Sequence, residues 1–324
     1  MGGNGQGCDG AHSAVRKSLG VKMVGDSTDS VWGVMDVYPR TDFPDIRKKA
    51  VIKTSLASLL IVPREGGTLV RFYVELPPGT TAREVKLEHL QNSAREILRP
   101  YSLDICETVW WSAYSIGQRV ADQFTRHGRV FLTGDACHTH SPKSGQGMNT
   151  SLQDGYNLGW KLAAVLRGEA SPRILETYTT ERGEVAKALI TFDREFAKSF
   201  ASRRSNPTTT TSTDRGHASP AQAFTQQFIK SGVFTTGLAT RYGDSVVTDS
   251  SRSNPALATR LTVGMRFPSA QVVRHCDARA MGLAETLRSD GRWRLVIFAG
   301  DIREEEARDR LVKVSSLPFF PFHC

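Results

Sequence analysis

The sequence lacks long apolar runs and paired cysteines, and each absence excludes a class of protein. No stretch of about 18 consecutive apolar residues occurs, so we expect no membrane-spanning helix. The first residues, MGGNGQGCDG, contain neither a basic nor an apolar stretch, so we expect no secretory signal. An odd, scattered set of cysteines predicts a reduced, cytoplasmic protein rather than a disulfide scaffold. The cysteines are Cys8, Cys106, Cys137, Cys276 and Cys324.

Basic residues are in excess, but they are not grouped as they are in nucleic-acid-binding proteins. The formal net charge is +9, from 42 Lys and Arg against 33 Asp and Glu. Acidic residues interrupt the basic ones along almost the whole chain, and no strip of interleaved basic and aromatic residues occurs. We therefore expect no nucleic-acid partner, whereas an anionic cofactor would use the same charge.

Hydrophobic periodicity predicts a mixed α/β chain. Apolar and polar residues alternate in the segment 68–76, TLVRFYVEL, as in a half-buried strand. In the segment 149–168, Leu152, Tyr156 and Trp160 recur every four residues, which predicts a helix. The other predicted strands are 31–38, 55–63, 109–121, 129–136 and 293–301. The other predicted helices are a short one within 8–20, one over 82–98 and one over 171–200.

Composition divides the chain into three parts. Residues 1–200 carry most of the predicted strands and helices. Residues 201–258 include the stretch 202–220, SRRSNPTTTTSTDRGHASP, which offers nothing to bury and predicts a linker or loop region. Residues 259–324 include the strand-like WRLVIFAGD and predict a small further unit.

The stretch 134–149, GDACHTHSPKSGQGMN, contains possible metal ligands and a glycine-rich loop. Cys137, His138 and His140 lie within four residues, with no second Cys/His pair at zinc-finger spacing, so we expect no metal site. A buried cysteine beside locally hydrogen-bonded histidines is the simpler reading. A Walker phosphate loop is excluded because Lys143 precedes the glycines instead of following them.

The remaining pattern in this stretch is a strand, Gly-Asp, a proline, Gly-x-Gly and a long helix. Gly145 and Gly147 allow a ligand to approach the backbone closely. A helix that begins near Met148 and Asn149 offers free N–H groups and the positive end of its dipole. Asp135 at the strand end can accept hydrogen bonds from ligand hydroxyls. These groups predict binding of a ribose or sugar-alcohol chain, with an electron-rich ring at the helix start.

Two motifs resemble those of a known family. The segment GDACHTHSPKSGQGMNTSLQDGYNLGWKLA resembles the second FAD-binding motif of single-component flavin-dependent aromatic hydroxylases, which have the p-hydroxybenzoate hydroxylase fold. The phenol 2-monooxygenase branch is the most similar. CDGAHSAVRKSLG resembles the family's Asp-Gly motif, which is associated with both FAD and NAD(P)H. The resemblance covers residues 7–200 well and 255–310 more loosely. It implies hydroxylation of a phenolic or aromatic substrate with FAD, NADPH and O2, through a flavin C4a-hydroperoxide.

The resemblance also implies roles for individual residues. Asp135 resembles the carboxylate that binds the flavin ribityl hydroxyls, and Pro142 the residue near the reactive face of the flavin ring. The backbone of Gly147, Met148 and Asn149 resembles the helix start that faces flavin O2 and N1. Asp9 and Arg16 resemble the cofactor residues of the Asp-Gly motif. Arg64 and Tyr114 resemble substrate-cavity residues, and the alternative for them is a surface turn and a packed strand residue.

The family pattern is incomplete in this sequence. Members begin with a βαβ unit that carries GxGxxG and binds the FAD pyrophosphate. The only literal match, Gly5 to Gly10, has four residues before it and overlaps the Asp-Gly motif, so it lacks the required strand. GRWRLVIFAGD resembles the first strand of the family's thioredoxin-like C-terminal domain, without a CxxC pair. We expect a member shortened at both ends.

The expected fold is a partial FAD/NAD(P)-binding domain with an interleaved β-sheet substrate domain, followed by a truncated thioredoxin-like segment. Losing the pyrophosphate contacts removes hydrogen bonds to charged groups, each worth about 1.5–3 kcal/mol. Two readings follow. The chain is a flavin-dependent monooxygenase, or it is an inactive or partner-dependent remnant that binds FAD weakly alone. We expect as partner either a second copy of the chain or a separate chain that supplies the missing N-terminal unit.

Overall fold

A computed structural model describes residues 3–54, 57–142, 145–201, 229 and 231–316. The chain forms two compact units, Met1–Phe267 and Pro268–Cys324. Two predicted segments lie outside the described residues: residues 202–228 of the predicted linker, and Lys143 and Ser144 of the glycine-rich loop. No helix of the described ranges is both long and apolar enough to cross a membrane.

The first unit is built on strands β1 to β9. They span β1 Gly5–Gly7, β2 Met23–Thr41, β3 Ala50–Lys53, β4 Ser58–Pro63, β5 Val70–Glu75, β6 Leu103–Ala121, β7 Thr125–Arg126, β8 Val130–Leu132 and β9 His138–Thr139. A six-stranded antiparallel sheet has the order β3-β4-β5-β2-β6-β9. A three-stranded sheet has the order β1-β8-β7, and β1 runs parallel to β8.

Among the described residues of the first unit, three long helices and two short ones accompany these sheets. They are α1 Ala14–Ser18, α2 Leu87–Leu98, α3 Gly147–Leu166, α4 Glu176–Ala201 and α5 Gly232–Thr235. The predicted helix over 82–98 is divided, because residues 82–84 form a 3-10 turn before α2 begins. The predicted helix over 171–200 is confirmed as a 3-10 turn at Pro172–Leu175 that leads into α4.

The large sheet confirms the strand-alternation reading. Along β5, Val70, Phe72 and Val74 are fully buried while their neighbours are half-buried. The turn PREGG joins β4 to β5, and the Arg64 N–H donates to the Leu69 carbonyl oxygen at 2.9 Å across it. Helix α2 covers the buried face and shares one apolar cluster with β2, β4 and β5. One face of this sheet is therefore buried in an apolar core, and the other face contributes residues to the cavity described below.

Helix α3 buries polar residues and exposes apolar ones. The helix itself is confirmed, yet Leu152 and Tyr156 of its apolar stripe are 65% and 60% exposed. Its buried positions are Thr150, Asp154, Asn157, Leu158 and Lys161. Buried charges are tolerated where they are paired and hydrogen-bonded, so apolar spacing did not identify the inward face of this helix.

The segment 231–267, which follows residues 202–228 in the chain, packs against α4 and the apolar core of the first unit. Phe234 of α5 stacks on Phe192 of α4 with ring centroids 4.5 Å apart. Val247 packs against the apolar cluster that includes Phe131 and Tyr178. The first unit extends to Phe267, so the described part of the predicted linker belongs to it.

The second unit contains a hairpin and one helix among its described residues. The strands β10 Gln271–Arg274 and β11 Arg279–Gly282 pair antiparallel, and helix α6 spans Glu305–Ser315. The predicted strand over 293–301 is wrong for the described structure, because no described residue pairs with it and a strand requires a partner. Trp293 and Phe298 of this segment are exposed.

Candidate functional site

A cavity of about 930 Å³ lies in the first unit, between the large sheet and the start of α3. Its lining brings together residues from four separated stretches of the sequence. Among the predicted site residues, it includes Arg16, Tyr114, Asp135, Pro142, Gly145, Gly147 and Met148. Tyr73 and His140, which were not among the predicted cofactor or substrate residues, also line it. Asp9, Arg64 and Asn149 are not part of this lining.

Asp135 projects from a tight turn whose other residues are buried. Strand β8 ends at Leu132, and Gly134–Ala136 form a 3-10 turn. Gly134 has φ +60°, and a Cβ there would lie 2.9 Å from the Ser151 hydroxyl oxygen, so the turn requires glycine. Asp135 is exposed to the cavity, and no residue of the described ranges hydrogen-bonds its carboxylate. It is therefore available to accept hydrogen bonds from ligand hydroxyls.

The start of α3 presents backbone donors to the same cavity. The helix begins at Gly147, and Gln146 gives it no side-chain cap. The first N–H groups of a helix have no partner within it, so those of Gly147, Met148 and Asn149 are directed outward at the positive end of the dipole. Gly145, with φ +68°, turns the backbone just before this helix. An anionic or electron-rich group fits here.

In the Asp-Gly motif, the Asp9 carboxylate is hydrogen-bonded to the start of α1 and is not free for a ligand. Asp9 accepts hydrogen bonds from the N–H groups of Ala14 at 2.7 Å and Val15 at 3.1 Å, and from the Ser13 hydroxyl. The Ser13 bond, with the backbone bonds, lowers the pKa of Asp9 to about 2. Asp9 is thus engaged in capping α1, and its predicted contact with the cofactor stays a prediction.

Arg16 fastens this helix to the Asp135 turn. Its buried guanidinium donates from Nη1 to the Ala136 carbonyl oxygen at 2.9 Å and from Nη2 to the Ala11 carbonyl oxygen at 2.7 Å. Ala136 directly follows Asp135. Arg16 therefore fixes one side of the turn that carries the cavity carboxylate, in addition to lining the cavity.

The two predicted substrate residues have different surroundings. Arg64 pairs with Asp36 at 3.1 Å and with Glu65 at 2.6 Å, and Arg71 holds Asp36 through two bonds of 2.7 Å. Arg64 is thus committed to an ion-pair cluster beside the sheet. Tyr114 lines the cavity from β6, and burial raises the pKa of its hydroxyl, which therefore stays protonated. The substrate role of both residues stays a prediction.

Two buried ionic networks behind the cavity were missed by the sequence analysis. In one, Asp154 binds Arg182, His138 and the Gly134 N–H. In the other, Glu181 binds Lys161 and Asn157. The available signal was the recurrence of Asp154, Asn157 and Lys161 every three or four residues along α3. The apolar stripe on the opposite face concealed it.

Cys137, His138 and Asp154 form a buried group whose ligand atoms lie within 4.8 Å of one another. Three observations argue against a metal ion there. The Asp154 carboxylate already accepts three hydrogen bonds, and one of its partners is the Arg182 guanidinium, which would repel a cation. Burial also raises the pKa of the Cys137 thiol, so the thiolate that binds metals is disfavoured.

We expect Gly147→Ala to weaken FAD binding by about tenfold, because steric crowding at the start of α3 costs about 1–3 kcal/mol. A Cβ at Gly147 would lie 2.2 Å from Nε2 of His140, whose Nδ1 bonds to the Ser141 carbonyl oxygen at 2.8 Å. Relief requires His140 or the first turn of α3 to move. A fluorescence titration with FAD measures the change.

Two variants check this explanation. Gly155→Ala, on the same helix, places its Cβ with nothing within 4 Å and should bind FAD normally. Adding His140→Ala to Gly147→Ala should restore most of the affinity. Unchanged binding by Gly147→Ala alone would contradict the crowding.

Two family profiles match the chain. The FAD binding domain matches residues 6–193, which include the whole cavity lining. The phenol hydroxylase C-terminal dimerisation domain matches residues 240–317. The large sheet, the Asp135 turn and α3 all lie within the first match.

Three curated relatives match almost the full chain, but the chain spans only about half of their length. An FAD-dependent monooxygenase of Aspergillus terreus is 56% identical over 96% of this chain and 50% of its own. The 3-hydroxybenzoate 4-monooxygenase of Comamonas testosteroni is 47% identical over 93% and 49%. A phenol 2-monooxygenase of Aspergillus fumigatus is 46% identical over 95% and 51%.

Solved structures show the same fold. The anhydrotetracycline hydroxylase OxyS of Streptomyces rimosus superposes with a TM-score of 0.62 at 26% identity, over 85% of this chain and 52% of its own. The rebeccamycin biosynthetic enzyme RebC, solved with reduced flavin, gives 0.59 at 27% identity, over 82% and 50%. The mixed α/β fold predicted from the sequence is thus confirmed.

The cavity fits part of an FAD molecule. The Asp135 carboxylate, which no described residue hydrogen-bonds, suits ribityl hydroxyls, and the start of α3, which has no side-chain cap, suits the electron-rich side of the ring. The family matches and the relatives agree with this geometry. The chain therefore belongs to the FAD binding domain family.

Proposed function

We propose that this chain forms the flavin- and substrate-facing part of a monooxygenase that hydroxylates an aromatic, phenolic substrate with O2. The observation that carries the proposal is the single cavity that combines the Asp135 carboxylate, the uncapped start of α3 and the Tyr114 hydroxyl. The Asp135 carboxylate suits a polyol chain, the start of α3 suits an electron-rich ring, and the Tyr114 hydroxyl suits a phenolic oxygen. The relatives named as hydroxylases of 3-hydroxybenzoate and phenol support this substrate class.

FAD supplies the redox and oxygen-transfer chemistry when it is bound. The residues of this chain bind and orient the two reactants and exclude water. Asp135 would hold the ribityl chain, and the N–H groups of Gly147 to Asn149 would stabilise negative charge on the ring. Pro142, which lines the cavity, would lie beside the ring. The protonated hydroxyl of Tyr114 donates a hydrogen bond to the substrate oxygen, which orients the ring that is hydroxylated.

NADPH is the proposed reductant, and the Asp-Gly motif with Arg16 is its proposed binding region. A homodimer is the proposed assembly, which the match of residues 240–317 to a dimerisation domain supports. We also propose a flavin and substrate region, 1–200, and a thioredoxin-like region, 259–324, connected by residues 201–258, whose described part packs within the first unit. The alternative reading, an inactive or partner-dependent remnant, is not favoured by the relatives.

An absorbance titration of the purified chain with FAD, followed by NADPH, tests the proposal. We expect the flavin spectrum to shift and become resolved on binding. We also expect NADPH to bleach it faster when phenol or 3-hydroxybenzoate is present. A flavin spectrum that stays identical to that of free FAD, with protein in large excess, would contradict FAD binding by this chain.

A further inference from the structure

One buried arginine connects the Asp135 turn with the region that matches the dimerisation domain. Arg182 of α4 is 1% exposed and donates from Nε to Oδ1 of Asp154 at 2.6 Å. Its Nη1 donates to the hydroxyl oxygen of Tyr242 at 3.1 Å. Tyr242 lies in the first unit, yet it belongs to the segment 240–317 that matches the C-terminal family domain. The second guanidinium nitrogen, Nη2, faces the Thr150 carbonyl oxygen at 3.3 Å.

The other carboxylate oxygen of Asp154 reaches the turn. Oδ2 accepts from the Gly134 N–H at 3.2 Å and lies 2.7 Å from Nε2 of His138. Gly134 directly precedes Asp135, and His138 follows two residues after the turn ends. A continuous path of hydrogen bonds therefore runs from Tyr242 through Arg182 and Asp154 to the backbone of the turn.

The turn is held from both sides. Asp154 fixes the N–H of Gly134, and Arg16 fixes the carbonyl oxygen of Ala136 at 2.9 Å. Only Asp135, between these two anchors, has no bond of its own among the described residues. A shift of either anchor therefore changes where the Asp135 carboxylate points into the cavity. Small displacements of a binding group have large effects on a preorganised site.

We propose that Tyr242 and Arg182 are positioning residues for the cofactor, which act on FAD through Asp154 and the Asp135 turn. The segment matched to the dimerisation domain thus sets the affinity of the flavin site from within the same chain. The proposal rests on FAD binding as proposed above. Removal of the Tyr242 hydroxyl leaves one Arg182 donor without its partner and lets the guanidinium, and with it Asp154, adopt other positions.

Tyr242→Phe is the main test, with Tyr101→Phe as the matched control. Tyr101 is an exposed tyrosine that contacts Phe43 edge-on and is not part of the cavity lining. We expect Tyr242→Phe to raise the dissociation constant of FAD by about fivefold, less than the effect of one direct hydrogen bond to a charged group, because Tyr242 acts on FAD only through the turn. We expect Tyr101→Phe to leave it unchanged. Fluorescence titration with FAD gives both values.

Hydrogen exchange of the protein without FAD is the second readout. In Tyr242→Phe, we expect faster exchange at the amides of residues 133–138 and unchanged exchange in the β2–β6 pair. Faster exchange throughout the first unit would identify a merely structural role and overturn the proposal. Unchanged exchange at the turn, or an unchanged dissociation constant in a chain that binds FAD, would overturn it as well.

The two readouts separate this proposal from the proposed function. If the wild-type chain fails to bind FAD, the proposed function fails for this chain, while hydrogen exchange still decides whether Tyr242 holds the turn. Asp154→Asn provides a second variant of nearly equal volume. It should accelerate exchange at the same amides more strongly than Tyr242→Phe, because Asp154 contacts the Gly134 N–H directly.

Discussion

Replacing Glu181 with alanine is expected to lower the free energy of unfolding by about 3–5 kcal/mol, because it leaves a buried charge without its partner. Lys161 is 0% exposed, and its ammonium donates to Glu181 at 2.5 Å and to Asn157 at 2.8 Å. Glu181 itself is 5% exposed and also accepts from Asn157 at 2.6 Å. Urea denaturation followed by circular dichroism measures the loss.

The loss in Glu181→Ala should shrink as pH rises. Burial lowers the pKa of Lys161, and only the bonds to Glu181 oppose this effect. Without Glu181 the pKa falls further, so the unfolded chain binds more protons than the folded one over a wider range below the ordinary lysine pKa. Stability then increases with pH in that range.

Two comparisons establish that the buried pair is responsible. Lys161→Met combined with Glu181→Gln removes both charges and keeps an acceptor for Asn157, so most of the lost stability should return. Glu184→Ala removes the exposed partner of Lys187 and should cost less than about 1 kcal/mol. A double variant as unstable as Glu181→Ala would contradict the explanation.

The parts of the site that the sequence predicted are those encoded over a few neighbouring residues. A strand end, an Asp after a glycine, a proline and a Gly-x-Gly before a helix determine the local backbone at Asp135 and Gly147. These signals are steric and act within one turn of chain. The alternation in β5 is local in the same sense, so this half-buried strand was predicted correctly.

The parts that the sequence did not predict depend on contacts between distant residues. Asp154 meets Arg182 from 28 positions away, and Arg182 meets Tyr242 from 60 positions away. No local pattern encodes such pairs. The segment 293–301 shows the converse, because β-propensity alone does not make a strand when no described partner strand lies beside it.

The substrate side shows the same limit. Arg64 follows β4 in a predicted turn, and the turn is correct. Its guanidinium, however, is paired with Asp36, which the fold brings from β2, 28 residues earlier. Tyr114 faces the cavity because its position on β6 fixes which side of the sheet it occupies. A strand position thus predicts the direction of a side chain better than a turn position does.

Asp135→Ala is expected to weaken FAD binding by at least about tenfold and to leave the protein without FAD as stable as before. A carboxylate that binds two ribityl hydroxyls makes charged hydrogen bonds worth about 1.5–3 kcal/mol each, and 1.4 kcal/mol corresponds to a factor of ten. Because no described residue bonds to the Asp135 carboxylate, its removal should change the free energy of unfolding by less than about 0.5 kcal/mol. A loss of FAD affinity without a loss of stability distinguishes Asp135 from the buried acids behind it.

Two variants serve as controls in a fluorescence titration with FAD. Asp135→Asn retains one acceptor oxygen, so its affinity should fall between those of wild type and Asp135→Ala. Asp104→Ala removes an exposed carboxylate that is paired with Arg40, so its affinity should match that of wild type. Wild-type affinity in Asp135→Ala would show that the ribityl chain is bound elsewhere in the cavity.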